Sequence, residues 1–117
     1  MKKDFVKYKK TILIDLDGVL NNYTHYEENN IPSIKDGAKE FLQKLYLSEE
    51  YEIILFTTRN LLLASKWLIK NEIDKYFKNI TNFKIPAYMY IDDRAIQFNG
   101  NFGQLYKDII NFKVYWK

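Results

Sequence analysis

Short uninterrupted apolar runs alternate along this chain with stretches in which apolar residues recur every three or four positions. Thr11-Ile-Leu-Ile-Asp15 shows no polar alternation, the pattern of a strand covered on both faces, and it predicts the central strand. Glu52-Ile-Ile-Leu-Phe56 predicts a second buried strand, a run near Ile80 a short third, and Tyr88-Met-Tyr-Ile91 a fourth. Between them, Ala38, Phe41, Leu42, Leu45 and Tyr46 fall at helical spacing, with Ser33 and Asp36 offering a helix start. Ala64, Trp67 and Leu68 share one side of a second helix, which Asn60 can cap. Phe102, Leu105, Tyr106, Ile109 and Ile110 predict a last helix, and the aromatic run Phe112 to Trp116 predicts an edge strand or a packed end.

Strand, helix, strand repeated several times implies crossovers, because parallel neighbours cannot be joined by tight turns. The expected fold class is therefore α/β, a three-layer Rossmann-like fold with a central, mostly parallel sheet and helices on both faces. With 117 residues, no repeats and no Pro/Gly-rich linker, residues 1–117 read as a single domain.

Composition narrows the chemistry. There is no cysteine and one histidine, which excludes disulfides, a thiol nucleophile and cysteine- or histidine-rich metal sites. Any metal must then sit among oxygens. A net charge of +3 is too small to point to nucleic acid by itself. Lys2, Lys3, Lys7, Lys9 and Lys10 make the start of the chain basic, but no apolar stretch of an export signal accompanies them, and the later apolar runs are too short to cross a bilayer. The expectation is a cytoplasmic protein with no membrane partner.

Parallel sheets of this kind bind ligands at the carboxyl ends of their strands, so the residues just after each apolar run carry most information. After the first run come Asp15, Asp17 and Gly18; after the second, Thr57, Thr58 and Arg59; after the fourth, Asp92, Asp93 and Arg94. Residues two apart on an extended segment point the same way, so Asp15 and Asp17 can be neighbours. Carboxylates that close call for a cation, and an all-oxygen pocket suits a hard one such as magnesium. Lys84, just before the fourth strand, can bring compensating charge to the same rim. Alone, an Asp-x-Asp is ordinarily a turn and an Asp-Asp pair a helix cap. Their joint placement at one sheet edge is what makes a site.

In their order, Asp15-Leu-Asp17-Gly18-Val19-Leu20, then Thr57, then Lys84, then Asp92-Asp93 resemble the four signature motifs of the haloacid dehalogenase-like superfamily, from about Thr11 to Gln97. The resemblance implies a magnesium-dependent phosphatase that hydrolyses a phosphomonoester through an aspartyl-phosphate. It makes Asp15 the nucleophile, Asp17 the general acid and base, Thr57 a hydrogen-bond donor to phosphate and Lys84 the neutralising charge. It gives magnesium to Asp15, Asp92 and the backbone carbonyl of Asp17, with Asp93 a ligand or the partner of one. Gly18 lets the backbone turn sharply off the strand. Thr58, Arg59 and Arg94 are candidate substrate contacts, and an ion pair with a rim carboxylate is the alternative for either arginine. His25 reads as a solvated loop residue, and Trp67 and Trp116 as packing.

Members of that superfamily usually carry a cap domain, for which this chain has no space: about fifteen residues separate Leu20 from the first helix, and helices consume Asn60 to Phe83. The resemblance is therefore to the capless group, whose open sites accept large substrates or borrow cover from a neighbouring subunit. Expected partners are a phosphorylated small molecule or a polymer end, including a nucleotide or nucleic-acid end, and a homo-oligomer. Two other classes fit some of the same residues: a receiver-like phosphoacceptor domain and a noncatalytic interaction domain. The first expects the acidic pair before the acceptor, which is not the order here.

Overall fold

Ile12, Leu13 and Ile14 are all buried, as are Ile53, Ile54 and Leu55, so each run leaves neither face to water. The computed structural model describes residues 8–117, and Lys2, Lys3 and Lys7 of the basic start lie outside the described residues. Its elements are β1 (Lys10–Asp15), α1 (Ala38–Ser48), β2 (Tyr51–Phe56), α2 (Leu61–Lys70), a 3-10 turn (Asp74–Tyr76), β3 (Phe77–Thr81), β4 (Met89–Ile91) and α3 (Phe102–Ile110). The strands form one all-parallel sheet in the order β3-β2-β1-β4. This is the expected small α/β, Rossmann-like fold without a cap. Among the described residues no helix is long and apolar enough to cross a membrane.

Register decides where the chemistry can meet. Asp15 pairs with Phe56 across β1 and β2, and Ile14 pairs with Ile91 across β1 and β4. Asp92 therefore follows β4 level with Asp15, and Thr57 follows β2 one step beyond it.

The main core lies on one sheet face. Ile12, Ile14, Ile53 and Leu55 pack there with Ala38 and Leu42 of α1 and Ala64, Trp67 and Leu68 of α2. Each fully buried aliphatic side chain contributes about 1.5–3 kcal/mol. Leu13 and Ile54 point to the other face, buried but outside that cluster. α1 and α2 share the face of the main core, and α3, which follows β4, buries none of its residues. The connection from β3 to β4 spans only residues 82–88 and carries no helix, so that crossover is a loop.

Helix ends also divide. Asn60 caps α2 as expected, its Oδ1 accepting from the Leu62 and Leu63 amides at 2.9 and 3.1 Å. For α1 the residue before the helix is Gly37, with φ +89° and no side-chain cap, rather than Ser33 or Asp36. The reason is the preceding loop: Asn22 N–H donates to Ser33 O and Lys35 N–H to Leu20 O, which holds residues 33–35 extended until the turn at Gly37 releases them.

Candidate functional site

The apolar run of β1 delivers Asp15 to the sheet edge, and the chain then leaves it in a single turn. Val19 and Leu20 N–H both donate to Leu16 O, and Gly18 takes φ +84°, a left-handed conformation that a side chain resists. A second reason for glycine is space. A Cβ there would stand 2.2 Å from Asp93 Oδ2 and 3.0 Å from Trp116 Nε1.

Asp15, Asp92 and Asp93 converge: one carboxylate oxygen from each lies within 4.8 Å of the others, an arrangement that could hold a metal ion. Asp15 is half-buried, and its carboxyl is pushed from its ordinary 3.8 to about 8. Burial is the largest cause, followed by the charge of Asp92, the contact with the Asp93 carboxyl, and the charges of Asp93 and Asp17. Asp93 Oδ1 is buried without a hydrogen-bond partner, while its Oδ2 accepts from Trp116 Nε1 at 2.5 Å. Asp92 Oδ1 accepts from the Arg94 amide at 2.8 Å, which fixes the turn after β4.

Asp17 stands apart from that trio because both its oxygens are taken. Oδ1 accepts from Asn21 Nδ2 at 2.9 Å and Oδ2 from Arg59 Nε at 2.8 Å. Arg59 is 1% exposed, and besides Asp17 its Nη1 donates to Glu27 O at 2.6 Å and Glu28 O at 3.2 Å. Its guanidinium also lies 4.8 Å from the Tyr26 ring centroid, and its Nη2 is buried without a partner. Of the two roles expected for Arg59, the geometry has the ion pair with a rim carboxylate. Arg59 also fastens the loop 21–30 to the site.

Thr57 is buried, and its hydroxyl oxygen accepts from the Arg59 amide at 3.1 Å; Thr58 is exposed. Lys84 lines a cavity of about 120 Å³ together with Asp15, Phe56, Tyr90 and Asp92. Its Nζ lies 4.6 Å from the Tyr90 ring centroid, and among the described residues no ion pair joins it to a carboxylate. Arg94 rests over Trp116 at 5.1 Å and Tyr23 at 6.0 Å from the ring centroids. His25 is an exposed loop residue, as expected, with Nε2 2.7 Å from Glu27 Oε1 and Nδ1 3.1 Å from Thr24 Oγ1.

Several site residues escape a reading of the chain alone. Asn21, fully buried, both accepts from Gly18 N–H at 3.1 Å and positions Asp17; a polar residue four places after an aspartate in a tight turn was its only signal. Asn82 Nδ2 donates to the carbonyls of Thr57 at 2.6 Å and Arg59 at 2.9 Å, tying the exit of β2 to the β3–β4 loop. Tyr115 and Trp116 return from after α3 to the first motif, where Tyr115 Oη donates to Gly18 O. Nothing in the local pattern announces that contact.

No family model matches the chain, and no curated protein matches it. Among solved structures, it is similar to a conserved protein from Bacteroides thetaiotaomicron, at 23% identity and a TM-score of 0.57, covering 92% of this chain and 95% of that one. At that identity the likeness speaks for the fold alone.

Proposed function

We propose that this chain is a magnesium-dependent phosphatase of the haloacid dehalogenase-like superfamily that hydrolyses a phosphomonoester through an aspartyl-phosphate on Asp15. The observation that carries the reading is the convergence of Asp15, Asp92 and Asp93 at the carboxyl ends of two adjacent parallel strands. The cavity shared with Lys84 lies beside it.

The residues fit magnesium. Every donor is an oxygen, the Asp93 Oδ1 atom is buried and unpartnered, and the crowding that raises the Asp15 carboxyl is what a divalent cation relieves. Asp15, Asp92 and Asp93 would hold it, with the Asp17 carbonyl. When bound, magnesium supplies positive charge that keeps the carboxylates ionised and screens a phosphoryl group from them.

In the first half-reaction an Asp15 oxygen attacks phosphorus, an acyl-phosphate bond forms, the ester P–O bond breaks, and the leaving oxygen takes its proton from Asp17. In the second, Asp17 accepts a proton from water as that water attacks phosphorus; the acyl-phosphate bond breaks, releasing phosphate and restoring Asp15. Lys84, which lines the adjoining cavity, would neutralise phosphoryl oxygens. Thr57 keeps a hydroxyl proton to donate, its oxygen being held by the Arg59 amide. Asn21 and Arg59 fix the Asp17 carboxylate, and orientation of this kind lowers the barrier without new chemistry.

Hydrolysis of p-nitrophenyl phosphate tests the reading. Turnover should require magnesium and disappear in Asp15→Asn, while a broad panel of phosphomonoesters left intact at saturating magnesium would refute it.

A further inference from the structure

The metal-facing side of Asp93 is only half of that carboxyl's environment. Oδ1 lies buried and unpartnered, Oδ2 accepts from the indole N–H of Trp116 at 2.5 Å, and one oxygen of this carboxyl lies within 4.8 Å of oxygens of Asp15 and Asp92. Trp116 is itself held from three directions. Tyr23, on the loop after β1, meets its ring edge-on at 5.0 Å between centroids, and the Arg94 guanidinium lies 5.1 Å from its centroid. The neighbouring Tyr115 hydroxyl donates to Gly18 O, beneath a Lys35 ammonium 5.2 Å from its own ring centroid. Gly18 completes the fit, since its bare Cα leaves the space in which Asp93 Oδ2 and Trp116 Nε1 meet.

We propose that Trp116 is a positioning residue for a divalent metal: its indole N–H holds Asp93 Oδ2, so that Oδ1 is presented to an ion shared with Asp15 and Asp92. The segment after α3 then takes part in the site that it covers. This inference rests on the metal reading above and adds the group that sets the ligand's orientation. Outer hydrogen bonds of this kind typically change metal affinity 10- to 100-fold when removed.

Manganese is the probe. Titration calorimetry on the full chain compares wild type with Trp116→Phe, Asp93→Asn and the double variant. Trp116→Phe keeps an aromatic side chain but loses the five-membered ring that carries the N–H, and it should weaken manganese binding about tenfold. In the Asp93→Asn background the same change should have little further effect, because its route to the metal is already gone. An equal loss in both backgrounds, or wild-type affinity in Trp116→Phe, overturns the proposal while leaving the metal site standing. Absence of manganese binding by the wild type overturns the metal reading and this inference with it.

A second measurement needs no stability from the tryptophan variant. The chain has two indole N–H groups, and that of Trp67 donates to Pro32 O at 3.0 Å, away from the carboxylates. In nitrogen-15 NMR spectra of the wild type, magnesium should move the Trp116 indole signal and leave the Trp67 signal in place. Asp93→Asn should shift the Trp116 signal on its own. A Trp116 indole signal indifferent to both overturns the proposal.

Discussion

Replacing Asp15 by asparagine should stabilise the metal-free protein, and more so as the pH rises. In the folded chain the Asp15 carboxyl keeps its proton up to about pH 8, against 3.8 unfolded. Between those values the folded state binds one more proton than the unfolded, so stability is greatest at low pH and falls as pH climbs toward the folded value. Each unit corresponds to about 1.4 kcal/mol, so the step from pH 5 to pH 8 amounts to about 4 kcal/mol before screening. Asp15 is only half-buried, and solvent screening brings this to about 2 kcal/mol. Asparagine removes the charge and keeps the shape. Urea unfolding in excess chelator, followed by tryptophan fluorescence, should therefore show the gain of Asp15→Asn over wild type growing by about 2 kcal/mol from pH 5 to pH 8. Saturating magnesium should invert the comparison, since an ion at 100 times its dissociation constant stabilises its holder by about 2.7 kcal/mol. Parallel pH slopes for the two proteins, or magnesium that stabilises neither, would refute the reasoning.

Gly18→Ala combines a left-handed backbone with a Cβ placed 2.2 Å from Asp93 Oδ2, so it should cost about 2 kcal/mol in chemical denaturation and weaken magnesium binding in calorimetry. Arg59→Met breaks a buried ion pair and frees the loop 21–30; a loss of about 3 kcal/mol is expected, with new proteolytic nicking inside that loop. A loss under about 1 kcal/mol would show that the clasp is idle. Glu27→Ala and Glu28→Ala, by contrast, should each stay within about 0.5 kcal/mol of wild type and resist the same protease, because Arg59 holds the carbonyls and not the side chains.

What the chain reveals of itself follows the range of the forces involved. The strands were legible because an unbroken apolar run has few other homes, and the rim residues because a parallel sheet exposes them wherever its strands stop. Asn60 was legible as a cap, since the bonds it makes reach two and three residues ahead. The start of α1 was misplaced because the return of the loop, a contact between Asn22 and Ser33, outweighs a locally good cap. Arg59 was open between two roles, and deciding it took a partner 42 residues earlier. Trp116 lies 23 residues from Asp93 and Tyr115 lies 97 from Gly18, and no periodicity encodes a tail that folds back to the first motif. Helical spacing likewise predicts α3 but says nothing of how little of it is buried.

The grip of Arg59 on the loop has a consequence for how such a site can diversify. It closes on main-chain oxygens, which all twenty amino acids carry, so the side chains at 27 and 28 are interchangeable without loss of anchorage. A lineage could rewrite that stretch to greet a different guest while the loop stays fastened and Asp17 keeps its partner.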